Sequence, residues 1–172
     1  MARENFIKAQ SNNIRENLER ILPNLKGVTF LPVTKTVPVS VMKEARDILL
    51  EKNLPVLFGE NYAQELLSKR IEFPQAQFHF IGRLQSNKIK SLLEARVFIQ
   101  SIGSEKHLDI AKKVALDLGI DVDVYLQVNV SEDPNKSGVK IDEAKMLLDK
   151  QYNPGNITGL MTILENTTEE IT

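Results

Sequence analysis

The residue best suited to chemistry in this sequence is a lysine at the end of an apolar run. Lys35 follows Val28-Thr-Phe-Leu-Pro-Val33 and Thr34, and Thr36-Val-Pro38 comes after it. In an extended chain Leu31, Val33 and Lys35 share one face. An ammonium group at the end of an apolar face is costly unless it is paired or neutralised. Burial lowers a lysine's pKa, and the neutral amine is the nucleophile that forms Schiff bases with carbonyl compounds. The alternative is a lysine whose stem carries its charge out to water.

Other polar residues recur at the ends of apolar runs: Glu60 and Asn61; Gly82, Arg83 and Gln85; Ser101; Asn129; and Met161-Thr162. Each also has a plainer reading. Asn61 suits a helix N-cap as well as a ligand contact. His79, between Phe78 and Phe80, suits a partly buried core imidazole. No metal site is expected, because the only other histidine, His107, has no ligand spacing. Arg83, Lys88 and Lys90 read as a solvated basic face rather than a phosphate site. Met161 reads as core filling rather than a cofactor contact.

These residues need elements to position them. Residues 3–22 have the stripe of an amphipathic helix, with Phe6, Ile7, Ile14, Leu18, Ile21 and Leu22, stopped by Pro23 and Gly27. The lysine run is the first strand. A helix over 41–52 follows, with Met42, Ala45, Ile48 and Leu49 inward. Strand two is 55–59, then a helix capped by Asn61 runs through Leu67. Strand three is 78–82, with a helix through Leu93. Strand four is 96–101, with a helix capped by Ser104 and closed by Gly119. Strand five is 122–130, followed by a loop over 131–138 and a helix over 141–149. Strand six is 156–163, and Thr167-Thr-Glu-Glu170 suits the opening of another helix.

Strand-then-helix alternation predicts an α/β domain with a parallel sheet. No glycine-rich fingerprint follows the first strand, which argues against a doubly wound nucleotide fold. A complete (β/α)₈ barrel needs eight strands and about 250 residues, so this chain would be a single barrel domain over 1–172, incomplete with about six βα units. In a parallel barrel all the strand ends meet on one rim, where such folds place their sites.

Composition narrows the function classes. The 172 residues are 42% hydrophobic and 26% charged, enough for a real core, and the net charge is −1. There is no basic excess to draw nucleic acid and no apolar run long enough to span a membrane. The absence of cysteine excludes disulfides and thiol chemistry. The polar start, Met-Ala-Arg-Glu-Asn, has no secretory core, so the expected location is the cytoplasm. The Asn-x-Ser/Thr triplets at Asn129, Asn156 and Asn166 are then read as chance.

Five blocks in order carry a resemblance: Val33-Thr-Lys-Thr-Val-Pro38; Phe58-Gly-Glu-Asn-Tyr-Ala-Gln-Glu65; His79-Phe-Ile-Gly-Arg-Leu-Gln-Ser-Asn-Lys88; Gln127-Val-Asn-Val130 with Lys136-Ser-Gly-Val139; and Gly159-Leu-Met161. Together they resemble the YggS/PROSC family of pyridoxal 5'-phosphate homeostasis proteins. The resemblance implies a barrel like the alanine racemase N-terminal domain, with pyridoxal phosphate held as a Schiff base on Lys35. It places Asn61 in the cofactor pocket, with Gly82 after strand three and Met161 beside the ring. It implies a cofactor carrier or buffer without established turnover, acting as a monomer or weak homo-oligomer. Its partners would be the cofactor and the apo enzymes that use it. The other reading is a pyridoxal-phosphate-dependent amino-acid racemase on the same barrel, which would need a second acid/base opposite the lysine. Family members are longer, and their later segments anchor the cofactor phosphate. A chain shortened after strand six is expected to lose those anchors and much of its affinity.

Overall fold

The computed structural model describes residues 14–131, 133–149 and 156–164. Phe6, Ile7, the Asn166 triplet and the helix opening at Thr167 lie outside them. The chain divides into two compact units, split between His79 and Phe80.

The first unit begins with a helix over 14–21 (α1), which buries Leu18. A 3₁₀ turn, Leu22–Asn24, follows at Pro23. The expected first strand is reduced to one parallel bridge, Val33 to Gly59. Gly59 N donates to Pro32 O and Thr34 N donates to Gly59 O, both at 2.8 Å. Pro32 has no N–H to extend the ladder, and a turn at Lys35 and Thr36 ends it on the other side. The expectation of a buried strand is therefore corrected. Val28 is 63% and Val33 48% exposed, and Thr34, on the opposite face, is the buried residue.

Helix α2 (Val39–Glu51) starts behind Pro38 and buries Val41, Met42, Ile48 and Leu49. Strand β1 (Leu57–Glu60) is buried throughout, Glu60 included. Helix α3 (Ala63–Glu72) runs a turn past the expected end and buries Leu66 and Lys69. Strand β2 (Gln77–Phe80) is tied back by Gln77 N to Val56 O at 3.0 Å. Phe58, Phe73 and Phe78 form the aromatic centre of this unit, with ring centroids 5.2, 5.6 and 6.5 Å apart. Such tilted and edge-on arrangements suit the ring quadrupoles.

The second unit carries α4 (Ile89–Glu94), β3 (Phe98–Ile102), α5 (Glu105–Leu118), β4 (Asp123–Gln127), α6 (Ile141–Asp149) and β5 (Asn156–Met161). Strands β3, β4 and β5 are parallel neighbours, with Ile99 opposite Val124 and Gln127 opposite Met161. Helix α5 has the caps its sequence predicts. Ser104 Oγ accepts from His107 N at 3.3 Å, and Gly119 closes the helix at φ 62°. Strand β4 ends sooner than expected because the 131–138 loop returns to it. Val139 N donates to Gln127 O and Asn129 N to Val139 O, both at 2.9 Å. Among the described residues no helix is long and apolar enough to cross a membrane.

Candidate functional site

Lys35 occupies the second position of a tight turn. Val37 N donates to Thr34 O at 3.0 Å, and Thr36, at the third position, has φ 61°. A positive φ there marks a type II turn, which ordinarily uses glycine or asparagine. A β-branched residue in that region is strained and persists only where its surroundings over-determine it.

The surroundings do so through an ion cluster inside the first unit. Lys69, 6% exposed, donates from Nζ to Thr34 O at 2.6 Å, Glu60 Oε1 at 2.8 Å and Glu65 Oε1 at 2.6 Å. Three bonds use all three protons of the ammonium. Glu65 Oε1 also accepts from Thr36 N at 2.7 Å, and Thr34 Oγ1 donates to Glu60 Oε1 at 2.7 Å. Lys69's hydrogen bond, helped by its charge and by the Thr36 N–H, holds the Glu65 carboxyl below the usual carboxylate range against the opposing effect of burial. Glu60 has no exposure, and its Oε2 has no hydrogen-bond partner among the described residues.

Lys35 itself is exposed. The expectation of an amine stripped of water on an apolar face is corrected, because the buried side of this segment is that of Thr34. The amine instead stands on the outer side of a turn whose backbone is fixed from within. Asn61 follows β1 directly and is half-buried. It does not cap α3: the capping position is Tyr62, and no side chain bonds there. Asn61 Oδ1 is buried with no hydrogen-bond partner among the described residues. A buried amide oxygen without a donor is costly unless a ligand or water supplies one.

Of the other expected residues, His79 is the last of the first unit and the rest lie in the second unit. Gly82 is buried just after β2, and Met161 ends β5 opposite Gln127. Ser101 Oγ, at 2% residue exposure, has no hydrogen-bond partner among the described residues. His79 is half-buried, and burial pushes its imidazole below the ordinary value. The solvated reading of the basic cluster holds for Arg83 and Lys90, both exposed, with Lys90 3.8 Å from Glu94. Among the described residues no group of histidines and carboxylates could hold a metal ion.

Lys69 escaped the sequence reading because Glu65 and Lys69 are four residues apart on a helix, the spacing of an ordinary surface pair. The available signal was Glu60, an acid inside an apolar strand, which must find a cation or a donor.

With this geometry established, the likeness to other proteins is specific. The sequence profile described as alanine racemase, N-terminal domain, matches residues 10–171. The pyridoxal phosphate homeostasis protein of Aquifex aeolicus is 36% identical over 172 residues, covering 90% of this chain and 73% of that protein. The protein of the same name from Pseudomonas aeruginosa is 34% identical, covering 96% and 71%. The structure of PipY from Synechococcus elongatus without PLP superposes with a TM-score of 0.80 at 30% identity, covering 91% of this chain and 73% of that one. The chain belongs to the alanine racemase N-terminal-domain family. Within that family it falls among the YggS/PROSC proteins, and its architecture is the α/β barrel type, here incomplete. Alanine racemase from Clostridium difficile, at 16% identity and a TM-score of 0.69, shares the fold alone.

Proposed function

We propose that this chain binds pyridoxal 5'-phosphate and serves intracellular cofactor homeostasis, taking the aldehyde as a Schiff base on Lys35. The observation that carries the reading is Lys35's exposed amine on a turn joined to β1, together with the buried Oδ1 of Asn61 just after that strand, which has no hydrogen-bond partner among the described residues. An amine open to an incoming aldehyde and an amide acceptor awaiting a donor fit this cofactor. The relatives' names, and a PipY structure with PLP bound at 28% identity and a TM-score of 0.76, support the same assignment.

Lys35, Asn61, Gly82 and Met161 are the residues assigned to the cofactor. When bound, it supplies a reactive aldehyde and an electron-withdrawing ring. Lys35 would supply the amine and the bound cofactor the aldehyde for a Schiff base, with water as the second product. The step needs no oxidant or reductant. The turn presents the amine, and the buried Asn61 amide orients what binds beside it.

The role assigned is that of a carrier or buffer in the cytoplasm, handing the cofactor to apo enzymes. Racemase activity has no observation of its own, since likeness to racemases at this identity speaks only for the fold. Incubation with pyridoxal phosphate, borohydride reduction and peptide mapping test the reading. The expected result is a reduced adduct on Lys35 and an absorbance band lost in Lys35→Ala. A folded protein with no adduct at Lys35 would refute it.

A further inference from the structure

We propose that Lys69 and Glu65 together are positioning residues for Lys35, an inference that rests on the reading of Lys35 as the cofactor-binding amine. The argument is about peptide planes. Thr34 O belongs to the peptide preceding Lys35, and Thr36 N to the peptide following it. Lys69 Nζ holds the first at 2.6 Å and Glu65 Oε1 holds the second at 2.7 Å. The two holders are themselves paired at 2.6 Å. One part-buried ion pair therefore closes a ring around Lys35 and fixes both planes that set its backbone dihedrals. Those dihedrals, with the tetrahedral geometry at Cα, fix where the Cα–Cβ bond points.

Two further observations show that the ring works against a resisting turn. Thr36 sits at φ 61°, which a β-branched residue leaves when released. Lys69 is also anchored on its other side to Glu60, which is fully buried in β1 and bonded to Thr34 Oγ1. The clamp thus refers Lys35 to a strand buried along its whole length. A flexible, solvated lysine samples many rotamers and directions. Fixing the base sets the region that the exposed amine sweeps through its own free torsions, which raises the share of encounters that lead to condensation. The clamp does not contact the aldehyde, so its effect passes entirely through Lys35.

The test compares wild type, Glu65→Gln, and Glu65→Gln combined with Thr36→Asn, each shown to be folded by thermal unfolding. Pyridoxal phosphate is titrated in, the Schiff-base absorbance is read, and borohydride trapping maps which lysines are modified. Glu65→Gln is expected to raise the midpoint for Lys35 about tenfold, the scale of one charge-assisted hydrogen bond. It should also spread adducts to other lysines. Asparagine accepts a left-handed conformation, so Thr36→Asn is expected to restore most of the loss. An unchanged midpoint in folded Glu65→Gln makes the clamp merely structural and overturns the proposal. So does a loss that Thr36→Asn fails to restore, because the effect would then come from charge and not from turn geometry. If Glu65→Gln does not fold, Lys69→Arg is read in the same way, with the midpoint for Lys35 either raised or not. A wild-type protein that forms no adduct at Lys35 defeats the functional reading itself, a result distinct from all of these.

Discussion

The N–H of Thr36 donates to Glu65 Oε1 at 2.7 Å while Thr36 holds φ at 61°. The bond and the strain are two sides of one constraint. Replacing Thr36 with asparagine keeps the N–H and suits the dihedral, so Thr36→Asn is expected to leave stability unchanged or raise it by up to about 1 kcal/mol. Thr36→Pro removes the donor and forces φ to the opposite sign, at a cost of at least about 3 kcal/mol. Urea unfolding midpoints distinguish the two.

Lys69 shares one positive charge between Glu60, which is fully buried, and Glu65, whose side chain is 26% exposed. Lys69→Met leaves Glu60 buried without its cation and is expected to destabilise the fold by about 3–5 kcal/mol. Glu60→Gln with Lys69→Met removes both charges of the buried pair and leaves only the partly exposed Glu65, so its cost should be well below the sum of the single changes. Additive costs in a double-mutant cycle would show that the pair is not coupled.

Acid should act in two stages. Burial holds the His79 imidazole below its ordinary value of 6.5, so the unfolded chain takes up that proton first. Stability then falls as pH drops below about 6.5 and levels once the folded imidazole is also protonated. His107 is lowered by burial and by Lys106, and acts in the same direction. Glu65, held below 4.5 chiefly by Lys69's hydrogen bond, contributes stability that is present above about 4.5 and lost as pH falls through its folded value. His79→Gln should reduce the upper stage to the share of His107, and Glu65→Gln should flatten the lower one, as read from unfolding free energy across pH.

Gly138 has φ 124°, and a Cβ there would lie 2.8 Å from Asn129 N and 3.0 Å from Gln127 O. Both neighbours are backbone and cannot swing aside. Gly138→Ala is expected to cost about 2–4 kcal/mol and to expose the Val139 N–H, which donates to Gln127 O. Hydrogen exchange at that amide provides the measurement.

How far the sequence could be read depends on whether the deciding interaction was local. Ser104 and Gly119 bracket α5 as expected because caps are set within a few residues. The parallel strands of the second unit followed from apolar runs at helix-length spacing. The first strand shrank to one bridge because Pro32 lacks a donor, a reason present in the sequence but outweighed by its β-branched neighbours. Asn61 suits a cap in the sequence, yet the capping position falls one residue later, and what remains is an oxygen without a hydrogen-bond partner among the described residues. Lys35 is nominated by its position in the sequence, whereas its exposure depends on which face Thr34 covers. The Lys69 cluster joins residues as far as 35 apart in the chain, and no local pattern announces a contact of that kind.

An ammonium whose every proton is engaged is a poor nucleophile toward acylating reagents, even beside a solvated lysine such as Lys35. Lys69 should therefore stay unmarked while the first unit is closed and become marked when that unit opens. The fold thus carries its own chemical reporter of local breathing, read by mass spectrometry without any engineered probe.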